Sequence, residues 1–292
     1  MSDDRESRAV ELTIDPRERS VGAGTVRRLL PFRARRMVGP FTFLDIMGPE
    51  DLVAGRGMDV DAHPHIGLST LTYLLAGRAV HRDSTGAVQT IDAGAVNWMT
   101  AGAGVTHTER SHPDDRAVDH HMFGVQIWVA LPTGAEDGPS RFEHCPSGDV
   151  PTLAVGDSGI RVAAGSGWGL DAPITGSSPL VMAQVDLGET PVEVPAEHPE
   201  RAVLSLSGDV RIDGHSIDGG SLAVLDRNTR VRLSGAGTAL VIGGEPLGTR
   251  HIWWNFVHSD RDRIEQAKQE WIDQRFPTVP DDHEVYVPLP GN

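Results

Sequence analysis

Two pairs of side chains in the N-terminal half of the chain have the types and spacing of metal ligands. The segment HPHIGLSTLTYLLAG opens with His63 and His65, and AGAGVTHTER carries His107 and Glu109. Residues i and i+2 of a β-strand point to the same face, so each pair can aim both side chains at one point. If the strands between the pairs fold back as a small barrel, three imidazoles and one carboxylate meet around one centre. The spacing therefore predicts a metal site.

The ligand types limit the metal that such a site could hold. Three imidazoles with one carboxylate and no thiolate suit Fe(II), Mn, Ni, Cu or Zn, and the set is close to the two-histidine, one-carboxylate arrangement of non-haem iron oxygenases. Four protein ligands leave two positions of an octahedral metal open to substrate or dioxygen. A four-coordinate zinc would instead be closed and structural.

The elements that must position these ligands are short β-strands. Between 68 and 99 the runs LSTLTYLL, AVH, VQTI and AVNWM are separated by Gly77, DSTGA and DAG, a pattern typical of strands and turns. We interpret this region as a meander of antiparallel strands, and VQIWVALP (125–132) as a further strand. With 33 Gly and 20 Pro among 292 residues and few periodic helical stretches, the composition predicts an all-β chain.

Two domains are expected from the layout of the sequence. From 133 to 150 the chain loses its periodicity and gains Pro, Gly and charge, as surface linkers do. We predict an N-terminal metal-binding domain at 1–132, a linker at 133–150 and a C-terminal domain at 151–292. The match between IDAGAVNWM (91–99) and IDGGSLAVL (217–225) indicates duplication of one β-unit.

The second copy lacks the ligands of the first. Counting from the matching glycines, Leu233 stands where His107 stands in the first copy, and Val194 stands where His63 stands. We therefore expect the C-terminal domain to be metal-free.

One helix is predicted near the C-terminus, in HSDRDRIEQAKQEWIDQ (258–274). Ser259 can cap it, acidic side chains fill its first turn, and Ile264, Ala267 and Trp271 fall on one face. We expect this face to pack on a barrel.

The charge excludes several classes of function. A formal net charge of −15 argues against non-specific binding to nucleic acid or to anionic membranes, because both need a basic surface. The first ten residues carry no apolar signal segment, and no run approaches the ~20 apolar residues of a membrane span. We expect a cytoplasmic protein.

Cys145 is the single cysteine of the chain. It excludes an internal disulfide, and we interpret it as a bystander thiol.

Two further polar clusters are weaker candidates for functional sites. SHPDDRAVDHH (111–121) gathers three His and three Asp; it could hold a second metal, but such a loop is usually just solvated. A basic island could pair with acids elsewhere or offer a partner surface. It consists of Arg27, Arg28, Arg33, Arg35 and Arg36.

A set of motifs in a fixed order spans most of the chain. They are RRLL (27–30), VGPFTFLDIMGP (38–49), Gly57, HPH (63–65), TYLLAG (72–77), HRDSTG (81–86), WMTAGAGVTHTE (98–109), GVQIWVALP (124–132) and HIWWNFVHSD (251–260). Taken together, these motifs resemble those of the pirin family, a group of bicupin proteins. The resemblance implies two cupin barrels (double-stranded β-helix, or jelly-roll, folds) packed face to face, with a short C-terminal helix.

The resemblance also implies a ligand set, with iron in the N-terminal barrel. The residues that match the family's ligands are His63, His65, His107 and Glu109. The general cupin pattern has a glutamate ligand shortly after the HxH pair, where this chain has Ser69 and Thr70. Glu109 would replace that missing carboxylate.

Two functions follow from the resemblance. Some pirins are similar to quercetinases, which implies an Fe(II) dioxygenase that opens the ring of a flavonol or related enol with O2, and Glu109 would be both a ligand and the base for the substrate hydroxyl. The alternative is a metal-dependent, redox-sensitive binding protein that acts on a transcription factor or metabolic enzyme without turnover, with the basic island as its contact surface. We expect a monomer. Fe(II) is the implied metal, and Mn, Ni, Cu and Zn stay open.

Overall fold

The structure is a computed structural model that describes residues 9–22 and 24–291. Within these ranges the chain forms 23 β-strands, two α-helices and one 3-10 turn, which confirms the all-β prediction. The described residues group into two compact units. The histidine unit comprises Glu18–Arg28, Thr42–Asp149 and the described residues from Leu247 onward. The second unit comprises the described residues up to Arg17, Leu29–Phe41 and Val150–Pro246.

The first twelve strands and the first helix lie before residue 146. They are β1 (Val10–Ile14), β2 (Arg17–Val21), β3 (Gly24–Leu30), β4 (Phe41–Leu52), β5 (Val60–His65), β6 (Leu68–Ala76), β7 (Ala79–Asp83), β8 (Val88–Ile91), β9 (Val96–Thr100), β10 (Val105–Ser111), α1 (Pro113–Arg116), β11 (His120–Ala130) and β12 (Arg141–Cys145).

The remaining elements follow a 3-10 turn at Ser147–Asp149. They are β13 (Thr152–Val155), β14 (Ser158–Gly167), β15 (Leu170–Asp171), β16 (Leu180–Leu187), β17 (Val192–Val194), β18 (Glu200–Ile212), β19 (His215–Ile217), β20 (Leu222–Leu225), β21 (Val231–Gly244), β22 (His251–Trp253), β23 (Phe256–His258) and α2 (Arg261–Ile272).

From β4 to β11 the chain crosses repeatedly between two antiparallel sheets. The seven-stranded sheet has the order β12-β9-β6-β11-β4-β3-β2, and the four-stranded sheet has the order β5-β10-β7-β8. Strands β6 and β9 pair in the first sheet, whereas β7 and β8 pair in the second. The expected plain meander is therefore wrong, because β9 and β11 occupy both edges of β6 and leave none for β7. Alternation between two sheets is the jelly-roll pattern.

Gly77 lets the chain leave β6 for the other sheet. Its φ is +81°, and a Cβ built there would lie 2.6 Å from the carbonyl oxygen of His121. Gly86, in the turn between β7 and β8, also has a positive φ, +94°, but a Cβ there would meet nothing within 4 Å. Of these two glycines, Gly77 is required by both its backbone conformation and the lack of space for a Cβ, and Gly86 by its conformation alone.

Alanine at these two glycines is expected to separate the two effects. Gly86→Ala should lower the free energy of unfolding by about 1–2 kcal/mol, the cost of a left-handed conformation for a residue with a Cβ. Gly77→Ala adds the steric clash and should lower it by about 2–4 kcal/mol in total. Urea unfolding of both variants measures the difference, and equal losses would contradict the clash at Gly77.

The second unit is built on one ten-stranded antiparallel sheet. Its main path is β1-β20-β18-β21-β16-β14-β13, with β15, β17 and β19 pairing on β14, β21 and β18. A core of Val, Ile, Leu and Ala side chains fills it, and Val194 and Leu233 belong to that core with at most 1% of each exposed. The positions that correspond to two predicted ligands in the other copy are thus hydrophobic core positions here.

Segment 133–150, predicted as a linker, is more structured than its composition indicates. It contributes β12, which pairs with β9, and it carries the buried residues Glu136 and Cys145. Backbone pairing with β9 and an ion pair between the buried Glu136 and Arg250 satisfy part of the segment's polar groups, while others, such as Asp137, are exposed. The units are also not contiguous: β1 pairs with β20 in the second unit, and α2 groups with the histidine unit.

Helix α2 forms where it was predicted, and its apolar face is confirmed. Ile264, Ala267 and Trp271 are its buried residues, and they pack in a cluster with Ile66 and Phe256. The expected cap is wrong. Asp260 caps the helix by accepting a hydrogen bond from the backbone N–H of Asp262, while the hydroxyl of Ser259 donates to Glu136. No helix in the described part of the chain is long and apolar enough to cross a membrane.

Candidate metal centre

Strands β5 and β10 bring the predicted ligands together. They pair antiparallel with His107 directly opposite His63 and with Val105 opposite His65. Because side chains two apart share a face, both histidines of β5 lie on the same face of the sheet as His107. Pro64 lacks an N–H for a ladder, and β5 is accordingly the end strand of its sheet.

The three imidazoles converge on one point. The Nε2 atoms of His65 and His107 are 3.1 Å apart, and one ring nitrogen from each of the three histidines lies within 4.8 Å of the others. The side chains are buried, with 7%, 1% and 1% of His63, His65 and His107 exposed. Among the described residues this is the only such group of three His, Cys, Asp or Glu side chains.

Hydrogen bonds orient two of the rings for metal binding. Nδ1 of His63 lies 2.8 Å from the carbonyl oxygen of Asp61, and Nδ1 of His65 lies 3.1 Å from that of Asn255. A carbonyl oxygen only accepts, so we assign the proton to Nδ1 in both rings. Each Nε2 then has a free lone pair, the form that binds a metal.

The electrostatics keep these imidazoles uncharged at neutral pH. Burial lowers the pKa of His63 to about 4, and burial likewise lowers the pKa of His65 and of His107 well below the ordinary value. Repulsion between the neighbouring rings lowers the pKa values of His65 and His107 further. Because metals bind neutral imidazole, no proton has to be displaced at pH 7. The residues present therefore fit a divalent metal.

Glu109 lies beside this group and is not part of it. It is two residues after His107 on β10, and the register with β5 shifts between the two, as at a β-bulge. Its Oε1 accepts a hydrogen bond of 3.4 Å from the hydroxyl of Thr72, and burial raises the pKa of its carboxyl group. The three histidines form the structural cluster, and a ligand role for Glu109 stays a prediction.

Sequence reasoning missed two buried residues next to the predicted ligands. His81 and Asp83 on β7 lie opposite Glu109 and His107 across the β7–β10 pairing, and they are 2% and 0% exposed. The signal was present, since HRD at 81–83 has the same i, i+2 spacing as the two ligand pairs.

The other candidates have local structural roles. In the 111–121 loop, His112 caps α1, Asp115 pairs with Arg78, and His121 lies 2.8 Å from Asp51. Each of these side chains thus contacts a partner of its own. Ser69, where the general cupin pattern has a glutamate, shares a buried hydrogen bond with Thr100.

The basic island is partly used in internal ion pairs. Arg28 makes two hydrogen bonds of 2.8 Å to the buried carboxylate of Asp45. Arg35 pairs with Glu11 and Glu200. Arg33 and Arg36 are exposed.

Comparison with known proteins identifies the family of the chain. The sequence profile of the Pirin family matches residues 23–129, and that of the Pirin C-terminal cupin domain matches residues 183–277. The two-cupin prediction is thereby confirmed. A pirin-like protein of Caulobacter vibrioides is 43% identical over 288 residues, which cover 96% of this chain and 99% of the relative.

Solved structures show the same fold. A quercetin 2,3-dioxygenase from Acinetobacter baumannii superposes with a TM-score of 0.88 at 32% identity, covering 96% of this chain and 95% of that one. A bacterial pirin from Escherichia coli, solved in complex with nickel(II), superposes with a TM-score of 0.62 at 16% identity, covering 80% of this chain and 99% of that one. With matching profiles in both halves and a close relative along nearly its whole length, the chain belongs to the pirin family.

Proposed function

We propose that the chain is a metal-dependent dioxygenase of the quercetin 2,3-dioxygenase type, which opens the ring of a flavonol or a related enol with O2. The observation that carries the proposal is the convergence of three buried imidazoles on one point. Three histidines on one metal leave coordination positions free for small molecules. The likeness to a solved quercetin 2,3-dioxygenase along 95% of that chain supports the same class of substrate.

Fe(II) is the metal that we propose for this site. When bound, it would supply Lewis acidity and open coordination positions for the substrate and O2. His63, His65 and His107 would hold it, and their burial keeps bulk water away from the centre. A pirin with this fold was solved with nickel(II), so nickel is the first alternative to test.

Glu109 is the residue that we propose to complete the site. It follows His107 by two positions on β10, and its carboxylate accepts a hydrogen bond from Thr72. From there it would serve as a further ligand and receive the proton of the substrate hydroxyl.

The test of the proposed function is oxygen uptake by anaerobically purified, Fe(II)-reconstituted protein supplied with quercetin. The expected result is uptake well above that of free iron at the same concentration. No uptake from protein that holds one iron per chain would overturn the enzymatic proposal and favour a redox-sensitive binding role.

Removing the carboxylate of Glu109 should affect turnover more than metal retention. Glu109→Gln is expected to slow iron-dependent oxygen uptake by about 100-fold or more, the usual effect of losing a general base. The three histidines should still hold the metal. Glu143→Gln, at a half-buried position on β12 where the carboxylate pairs with Arg141, is the matched control. Uptake by Glu109→Gln at the wild-type rate would contradict the role.

A further inference from the structure

Two contacts between buried side chains connect the predicted ligand His107, through His81, to the carboxylate of Asp83. Nδ1 of His107 lies 3.4 Å from Nδ1 of His81, and Nε2 of His81 lies 2.9 Å from Oδ2 of Asp83. His107 thus differs from the other two histidines, whose Nδ1 atoms face backbone carbonyl oxygens. The orientation of the His107 ring therefore depends on side chains, and mutation can replace them.

The donors around Asp83 bear on the direction of the hydrogen bonds between Asp83, His81 and His107. Oδ1 of Asp83 accepts from the backbone N–H of Thr85 at 2.8 Å, from its hydroxyl at 2.5 Å and from the N–H of Ala87 at 3.3 Å. The carboxylate is therefore an acceptor throughout. A His81 ring with a single proton therefore carries it on Nε2, as the donor to Oδ2, and its Nδ1 is then an acceptor.

That acceptor decides the tautomer of His107. Nδ1 of His107 can then donate its N–H to Nδ1 of His81 across the 3.4 Å contact, which leaves a lone pair on Nε2 of His107. This Nε2 is the atom that lies 3.1 Å from Nε2 of His65 at the centre of the cluster. The proton arrangement set by Asp83 thus gives His107 the form that a metal requires.

Packing holds the arrangement in place. The ring of His81 stacks on Phe142 with the ring centroids 4.6 Å apart and an interplanar angle of 20°. Both His81 and Asp83 are almost wholly buried. Little solvent can therefore substitute for a lost hydrogen bond.

We propose that His81 and Asp83 are positioning residues that fix the tautomer and orientation of His107 and so raise the affinity of the centre for a metal. The inference rests on the proposed metal centre and adds two residues to it. Hydrogen-bonded groups behind a ligating histidine typically account for about 10–100-fold of metal affinity.

Asp83→Asn is the most direct test because it preserves shape. Three donors converge on Oδ1, so the asparagine oxygen should stay there and its NH2 group should face His81. His81 would then present an N–H to His107, which would have to move its own proton to Nε2. An isosteric change of this kind in a histidine–carboxylate pair is known to enforce the wrong tautomer.

Two measurements follow. The first is long-range 15N–1H NMR of metal-free protein labelled at histidine, in which His107→Ala identifies the signals of His107. The wild type should show the Nδ1–H tautomer of His107, and Asp83→Asn should show the Nε2–H tautomer. Chelator competition with Ni(II) should show about 10–100-fold weaker binding for Asp83→Asn and for His81→Phe. His144→Phe, a half-buried histidine on β12 that contacts Asn97, should bind Ni(II) within about twofold of the wild type.

The outcomes separate this inference from the proposed function. An Nε2–H tautomer of His107 in the wild type, or wild-type Ni(II) affinity in folded Asp83→Asn, overturns the inference alone. Wild-type protein that binds Ni(II) but consumes no oxygen with iron and quercetin overturns the proposed function alone. Wild-type protein that binds no metal overturns both. If a variant does not fold, the tautomer of the wild type still decides.

Discussion

Replacing His107 with alanine is expected to abolish stoichiometric metal binding and to reduce oxygen uptake to the rate of free iron. His107 supplies one of three converging imidazoles and lies directly opposite His63 in the β5–β10 pairing. Loss of a hydrogen-bonded group behind a ligand costs about 10–100-fold in metal affinity, so loss of the ligand itself should exceed ~100-fold.

Metal content and oxygen uptake should be measured on the same anaerobic preparation of His107→Ala. His198→Ala is the matched control, since His198 is also buried but lies in the second unit, where its Nε2 is 2.9 Å from the carbonyl oxygen of Ser166. A His107→Ala protein that holds one iron per chain would contradict the metal centre. Uptake above free iron in that variant would contradict its catalytic role.

Glu136→Leu is expected to cause the largest loss of stability. Glu136 and Arg250 form an ion pair of 2.8 Å whose side chains are 0% and 3% exposed. Glu136 also accepts hydrogen bonds from the backbone N–H and the hydroxyl of Ser259. Removing the carboxylate leaves the guanidinium buried without its counter-charge, which typically costs about 3–5 kcal/mol of the free energy of unfolding.

Denaturant unfolding of three variants tests this pair. The double variant Glu136→Leu/Arg250→Leu should recover part of the loss, because it leaves no unpaired buried charge. Asp209→Asn, in an exposed pair with Arg211 whose side chains are 45% and 48% exposed, should change the free energy of unfolding by less than about 1 kcal/mol. A single Glu136→Leu variant as stable as the wild type would disprove the importance of the ion pair.

Local patterns in the sequence were sufficient for the strands between 68 and 99 and for the histidine pair on β5. The side-chain period of a strand is two residues, so HPH on a strand must place both imidazoles on one face. The helix and its apolar face could be predicted as well, because the helical spacing of apolar residues is visible within a single segment. The motifs also carried enough information to identify the pirin family.

Contacts between distant residues were decided only by the tertiary structure. The register that sets His107 opposite His63 joins residues 44 positions apart, and the acceptor for Nδ1 of His65 is the carbonyl of Asn255, 190 positions away. The buried partner of Glu136 is Arg250. Composition therefore indicated a solvated linker where the chain forms a strand and a buried ion pair.

The same limit explains why His81 and Asp83 were missed and why the three histidines could not be distinguished from Glu109 in advance. A sequence shows the spacing of side chains along one strand, but hydrogen bonds between strands determine which strands meet and in which register. The jelly roll places β7 beside β10 and puts a β-bulge between His107 and Glu109. The sequence by itself determined the types and local spacing of the ligands; only the pairing of strands decided which of them converge and which residues stand behind them.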